Sequence, residues 1–155
     1  MGNFLLGSFT ARIDKSGRIK IPEKFRVTIE DTYGKELFVT SLTDMAIQIY
    51  PLPVWEELAG LTKMGLLHLK TDVKQFLRRV NVKGSQLAID TKGRVLISPI
   101  LREKAQLDGE VEVIGLNNHL EVWNKSNLED SLAQNPLTDD DFDQIAQLAD
   151  RVKSE

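Results

Sequence analysis

The stretch that decides the fold runs from residue 13 to residue 22 and reads Ile13-Asp14-Lys15-Ser16-Gly17-Arg18-Ile19-Lys20-Ile21-Pro22. The same pattern returns later in the chain as Ile89-Asp90-Thr91-Lys92-Gly93-Arg94-Val95-Leu96-Ile97. Each copy is followed by an apolar residue and an arginine, Phe25-Arg26 in the first and Leu101-Arg102 in the second. A turn that is flanked by alternating apolar residues and used twice predicts a β architecture built from two related halves.

The first copy has the pattern of a β-hairpin with one apolar and one polar face. Every second residue is apolar, so one face holds three isoleucines: Ile13, Ile19 and Ile21. Gly17 supplies the backbone freedom that a tight turn requires, and Asp14 opens the turn, where a short carboxylate accepts backbone N–H bonds. Gly93 and Asp90 occupy the same two positions in the second copy. Both copies are therefore predicted to form the same kind of turn.

The outer face of the first hairpin is cationic. Between residues 11 and 26 there are six basic residues and two acidic ones, and the bases nearest the turn are Arg12, Lys15, Arg18 and Lys20. A two-stranded ribbon fits the major groove of DNA, where an arginine pairs with guanine through two hydrogen bonds and lysines contact phosphates. The composition leaves a second interpretation open, namely a solvated turn in which Asp14 bridges Arg18.

The second copy is less basic at the corresponding positions. Three cations of the first copy are replaced there by Ala88, Thr91 and Leu96, whereas Lys92 and Arg94 remain as bases. If the chain binds nucleic acid, this asymmetry predicts that the first turn contributes more to affinity than the second.

The rest of the chain extends a shared plan of strand, turn, strand, helix and hairpin. Segments 37–40 and 47–50 form a predicted strand pair in the first half, and segments 111–114 and 120–123 form its counterpart in the second. We therefore expect an α+β, mainly β chain with one pseudo-two-fold unit and a helical tail. The expected boundaries are 1–128 for the unit, about 8–51 for half one, about 52–82 for a helical insert, about 83–124 for half two, and 129–155 for the tail.

Composition narrows the class of protein. The chain has 155 residues, of which 41% are hydrophobic and 28% charged, and it contains no cysteine, so disulfides and thiolate metal sites are excluded. No apolar run reaches membrane-spanning length, and we expect a cytoplasmic protein without a membrane partner. The net charge of −3 is not spread evenly along the chain, because residues 129–155 carry eight acidic and two basic residues. An acidic total therefore does not argue against a basic nucleic-acid face elsewhere.

Catalytic chemistry finds little support in the sequence. The two histidines, His68 and His119, have no partner at a metal-ligand spacing, and no glycine-rich phosphate loop precedes a lysine. Asp14 and Asp90 could be considered as paired carboxylates, but each stands beside a Gly-Arg turn, which favours a turn-forming and arginine-orienting role. We expect no enzymatic activity, no metal, no cofactor and no small-molecule substrate.

With both turns placed, the chain resembles the MraZ family of bacterial transcription regulators. The resemblance covers roughly residues 4 to 133 and is carried by Ile13–Arg26, Ala88–Arg102, Ile49–Pro51, Trp55, Phe76–Leu77 and Leu120–Trp123. It implies a swapped-hairpin β-barrel of the AbrB class, in which the two halves of one chain replace two subunits. Two features depart from the family pattern: Ser98-Pro99, where Ser98 is expected to cap the following helix, and the long acidic tail.

The resemblance also implies a function and a set of site residues. Members of such a family assemble as ring-shaped homo-oligomers on the nucleoid. They bind direct repeats upstream of the division and cell-wall gene cluster, and they act chiefly as repressors of that cluster, their own gene included. Their Asp-x-x-x-Arg motif carries the DNA contact, which here means Asp14 with Arg18 and Asp90 with Arg94. Together with the charge pattern, the predicted DNA-binding residues are Arg12, Asp14, Lys15, Arg18, Lys20, Asp90, Lys92 and Arg94, with Gly17 and Gly93 as turn glycines.

Two alternatives of a different class remain open. An AbrB-like antitoxin would bind DNA through the same barrel and a toxin through its C-terminal segment. A barrel used only for protein interaction would show weak polyanion binding that does not depend on Arg18.

Overall fold

Eight antiparallel strands form one continuous sheet in the first part of the chain. The computed structural model describes residues 4–60 and 71–154. The strands in chain order are β1 (Leu5–Ile13), β2 (Arg18–Lys20), β3 (Glu36–Thr40), β4 (Ala46–Pro51), β5 (Ser85–Ala88), β6 (Arg94–Leu96), β7 (Gly109–Asn117) and β8 (Leu120–Asn124). The order across the sheet is β5-β3-β4-β8-β7-β1-β2-β6, and the two end strands lie close to each other. The sheet is therefore a nearly closed barrel.

The strands of the two halves are interleaved. Strands β1 to β4 come from the first half and β5 to β8 from the second, yet β3 and β4 pair with each other between β5 and β8. Corresponding strands of the two halves pair directly, β2 with β6 and β4 with β8. This arrangement confirms the predicted mainly β, pseudo-two-fold swapped-hairpin barrel.

The barrel interior is filled by the residues that alternate inward along the strands. Ile19 and its counterpart Val95 are fully buried, and Ile13 and Ile21 are nearly so. Phe25 from the first helix joins the same cluster. The predicted apolar face of the first hairpin is thus confirmed, and its burial fixes which side chains of the turn remain outside.

Among residues 4–60 and 71–125, the helices that accompany the barrel strands are α1 (Glu23–Tyr33), α2 (Leu52–Gly60), α3 (Thr71–Lys83) and α4 (Pro99–Lys104). Pro22 is the N-cap of α1, and the helix ends at Tyr33. Ser98 is the N-cap of α4, yet its side chain makes no capping hydrogen bond. Its hydroxyl oxygen is buried, and within the described chain it has no hydrogen-bond partner, so the prediction of a side-chain cap is wrong.

The chain divides into two compact units, Met1–Lys125 and Ser126–Glu155, and the predicted boundary at residue 128 stays a prediction. The second unit holds α6 (Asp139–Ser154) and most of α5 (Lys125–Gln134). A reciprocal cap fixes the start of α6: the Thr138 N–H donates to Asp141 Oδ2 at 2.9 Å, and the Asp141 N–H donates to Thr138 Oγ1 at 3.2 Å. No helix among residues 4–60 and 71–154 is long and apolar enough to cross a membrane.

Candidate functional site

The short ladder between β2 and β6 positions the two turns. Arg18 faces Leu96 and Lys20 faces Arg94 across this antiparallel pair. Beyond the ladder, the Ile97 N–H donates to the Gly17 carbonyl at 2.8 Å, and the Ile21 N–H donates to the Gly93 carbonyl at 3.0 Å. Each turn glycine is therefore hydrogen-bonded to the other half of the chain, and the two turns are held in a fixed relation.

The carboxylate of each turn accepts backbone N–H bonds from the residues that follow it. Asp14 Oδ1 accepts from the Ser16 N–H and the Arg18 N–H, both at 2.9 Å. Asp90 Oδ1 accepts from the N–H groups two and four residues on, at 2.9 and 2.8 Å. Gly17 at φ 89° and Gly93 at φ 76° both lie in the left-handed region. The two turns thus share one backbone design, as their sequences predict.

Hydrogen bonds to the two carboxylates, from backbone N–H groups and from side chains, lower the pKa of both Asp14 and Asp90. For Asp14 the largest cause is the Ser16 hydroxyl, followed by the Arg18 N–H. For Asp90 the backbone N–H of Arg94 is the largest cause. Both carboxylates are charged at neutral pH.

A groove of about 490 Å³, here named the first-turn groove, surrounds the first turn. Its lining residues are Arg12, Ile13, Asp14, Lys15, Arg18, Lys20, Arg94, Asp108 and Gly109. Six of the eight predicted DNA-binding residues therefore lie together. The other two do not line it: Asp90 lies in the second turn, and Lys92 lines a smaller groove of about 300 Å³ together with Lys20 and Arg26.

The two motif arginines have different partners. Arg18 Nη1 donates to Ser16 Oγ at 3.0 Å, a neutral acceptor. Arg94 Nε donates to Asp90 Oδ2 at 3.0 Å, and Arg94 Nη1 lies 3.7 Å from Asp14 Oδ2. Asp14 thus meets Arg18 through the backbone N–H, and its ion pair is with the arginine of the other half. This ion pair between the two halves is not predictable from the local sequence pattern.

Two further arginines, which are not among the predicted DNA-binding residues, lie against the turns. A Cβ placed on Gly17 would lie 2.7 Å from Arg102 Cζ, and one placed on Gly93 would lie 2.9 Å from Arg26 Cδ. Each helix arginine therefore packs against the turn glycine of the other half. The repeated Phe25-Arg26 and Leu101-Arg102 pairs were the signal in the sequence that could have identified them.

The two helix arginines, Arg26 and Arg102, differ in whether acidic side chains pair with them. Arg26 pairs with Glu30 at 3.0 Å and with Glu23 at 3.6 Å. In the second half, Pro99 and Gln106 stand at the positions of those two glutamates. Arg102 Nε is buried and has no hydrogen-bond partner among the described residues. The cation that supports the first turn is consequently less neutralised than the one that supports the second.

His119 is not among the residues that line the first-turn groove. His119 stacks on Tyr50 with ring centroids 4.4 Å apart, and burial lowers its pKa. His68 lies outside the described residues. In the part of the chain that the structure describes, no group of three or more potential ligand side chains is placed to hold a metal ion.

A model of a known protein family matches this chain in two segments. The model of the family described as "MraZ protein, putative antitoxin-like" matches residues 4–76 and again residues 83–151. Two successive matches agree with the two halves of the barrel. The second match includes most of the acidic tail, so the expectation that the resemblance ends near residue 133 is wrong.

Relatives with the name "Transcriptional regulator MraZ" match nearly the whole chain. The protein of Acidobacterium capsulatum is 37% identical over 91% of this chain and 96% of its own length. That of Koribacter versatilis is 34% identical over 92% and 97%, and that of Pediococcus pentosaceus is 32% identical over 92% and 94%. The name is that of a regulator and not of an enzyme, in agreement with the sequence prediction. On the strength of these matches, the chain belongs to the MraZ family.

Proposed function

We propose that this protein regulates transcription by binding double-stranded DNA through its first Asp-x-x-Gly-Arg turn. The observation that carries the proposal is the first-turn groove, where four cations of one hairpin lie together: Arg12, Lys15, Arg18 and Lys20. The name of the relatives supports the regulatory role.

The chemistry of these side chains suits the major groove. The Arg18 guanidinium donates to the neutral Ser16 hydroxyl and pairs with no carboxylate among the described residues, so its remaining donors are available to pair with guanine O6 and N7. Arg12, Lys15 and Lys20 are exposed and suit phosphate contacts, which set position and depend on salt. Asp14 stabilises the turn conformation by accepting hydrogen bonds from backbone N–H groups of the turn.

Membership of the MraZ family supports a more specific proposal about the target. The DNA would be a set of direct repeats upstream of the division and cell-wall gene cluster. The protein would act there as a repressor of the cluster and of its own gene, in the cytoplasm and on the nucleoid. One hairpin offers few base contacts, so we propose that a ring-shaped homo-oligomer presents several turns to successive repeats and gains affinity by avidity.

The test is fluorescence anisotropy on the DNA upstream of this protein's own gene, with scrambled DNA of equal length as the reference. We expect selective binding that weakens with salt, and we expect Arg18→Ala to reduce affinity roughly 5- to 150-fold and to lose selectivity. Arg78→Ala is the matched control, because it removes the same charge from the exposed surface of α3, outside the first-turn groove. Binding that ignores both DNA sequence and Arg18 would contradict the proposal and favour a protein-interaction barrel.

An antitoxin is the second candidate, because the matching family carries the words antitoxin-like in its description. It makes a different prediction, namely that a toxin expressed from the same operon forms a stable complex with the full chain. Deleting residues 126–155 would abolish that complex while DNA binding by the barrel persists. A chain that regulates its promoter without any such partner would exclude the antitoxin.

A further inference from the structure

The two turns share a backbone design, but their arginines are held in different ways. Arg94 lies between two carboxylates, with Nε 3.0 Å from Asp90 Oδ2 and Nη1 3.7 Å from Asp14 Oδ2. Arg18 contacts only the neutral Ser16 hydroxyl among the side-chain acceptors that the structure describes. An arginine that forks a guanine needs two donors directed at the base. Arg18 keeps donors beyond the one given to Ser16 and pairs with no carboxylate among the described residues, whereas Arg94 would first have to leave its carboxylates.

The position of Arg94 connects it to the first turn. It enters the first-turn groove from the second half and reaches Asp14 from across the β2–β6 ladder. Asp14 uses its two oxygens for different tasks: Oδ1 accepts the Ser16 and Arg18 N–H bonds that build the turn, and Oδ2 faces Arg94. Asp90, on the other side, fixes the Arg94 guanidinium. Asp90, Arg94 and Asp14 are therefore in successive contact, and these contacts link the second turn to the first.

The supports of the two turns show the same asymmetry independently. Arg26, which packs on Gly93 of the second turn, is neutralised by two glutamates. Arg102, which packs on Gly17 of the first turn, has neutral residues at those two positions. The arginine that supports the first turn therefore has no carboxylate partner among the described residues, whereas the arginine that supports the second turn has two, as expected if the first turn approaches a polyanion.

We propose that the two turns have different roles in DNA binding. The first turn contacts DNA bases through Arg18. The second turn supports the first: Asp90 holds Arg94, and Arg94 positions the first turn through Asp14, a set of contacts here named the brace. Arg94 is thus a positioning residue and not a second base-contacting residue. This inference rests on the proposed DNA-binding function and assigns different roles to two motifs of identical pattern.

The brace makes a prediction opposite to that of simple electrostatics at Asp14. Asparagine keeps an oxygen that can accept the turn's N–H bonds, so Asp14→Asn removes chiefly the charge that faces Arg94. If Asp14 only repelled phosphates, its neutralisation would strengthen DNA binding. If it is the contact point of the brace, its neutralisation weakens DNA binding, by an expected threefold to tenfold.

The experiment is a double-mutant cycle on the upstream DNA, with Asp14→Asn, Arg94→Gln and the double variant, each measured by anisotropy across a salt series. We expect both single variants to weaken binding, the double variant to be no weaker than the worse single one, and the salt slope to stay at the wild-type value. Arg94→Lys should recover part of the lost affinity, because it restores the charge beside Asp14.

Two other outcomes would each overturn a different claim. Stronger binding by Asp14→Asn, together with an Arg94→Gln slope that falls by about one, would mean that Arg94 contacts a phosphate directly and that the brace is wrong. Wild-type protein that does not discriminate upstream from scrambled DNA would instead overturn the proposed function itself, and the brace with it.

Discussion

Gly17 occupies the most restricted position of the first turn. Its φ is +89°, and an added Cβ would lie 2.7 Å from Arg102 Cζ and 3.0 Å from the Ile97 carbonyl oxygen. The backbone conformation alone costs a non-glycine residue about 1–2 kcal/mol, and the close contacts add to it. Backbone and packing therefore both require glycine here.

The first prediction concerns that position. Gly17→Ala should lower the free energy of unfolding by roughly 2–4 kcal/mol, measured by urea denaturation. Gly34→Ala is the matched control, because Gly34 has φ +93° and no atom within 4 Å of an added Cβ, so it reports the backbone cost alone. Equal losses in the two variants would mean that the Arg102 side chain and the Ile97 carbonyl make room for the added methyl group without measurable cost, which would contradict a packing contribution at this position.

A second prediction at the residue scale concerns acid. The folded pKa of Asp14 lies below its ordinary value of 3.8, because the Ser16 hydroxyl and the Arg18 N–H favour the charged form. The stabilisation by this carboxylate is therefore complete above about pH 4 and is lost as pH falls through the lowered folded pKa. Melting temperatures measured from pH 6 down to pH 3 should fall more steeply for the wild type than for Asp14→Asn. Parallel curves would contradict the role of these hydrogen bonds.

At the scale of elements, local signals in the sequence were sufficient for the turns and the barrel strands. The alternation around Ile19 and the paired Asp and Gly positions depend on neighbouring residues, and the structure has the strands where that pattern predicts them. The contact between Arg94 and Asp14 could not be predicted in this way. It depends on the pairing of β2 with β6, which joins residues far apart in the chain. Ser98 shows the opposite limit, because a residue suited to side-chain capping stands at the N-cap position of α4 and its side chain makes no capping hydrogen bond.

The third prediction concerns α6, whose start is fixed by the reciprocal Thr138–Asp141 cap. Thr138→Ala removes the hydroxyl that accepts the Asp141 N–H, and the loss should be about 1 kcal/mol of local helix stability. Amide exchange in residues 139–143 should accelerate while exchange in the barrel strands stays unchanged. Unchanged exchange in that first turn of α6 would show that the cap does not hold the helix start.

At the scale of the whole molecule, charge is distributed unevenly along a chain whose total is −3. The first-turn groove gathers five cations and two acids, whereas the tail holds most of the excess acid. A net charge near neutrality would by itself argue against a nucleic-acid partner. The fold changes that argument, because it concentrates the basic residues at one turn and leaves the corresponding positions of the other turn neutral or paired.

The first turn is the part of the molecule that we propose to contact DNA. The most direct test is hydrogen–deuterium exchange by mass spectrometry on the full chain, with and without the upstream DNA. We expect DNA to slow exchange in peptides covering residues 12–20, to slow it less in residues 88–96, and to leave α3 and α6 unchanged. Protection confined to α3 or α6, with none in residues 12–20, would contradict the claim.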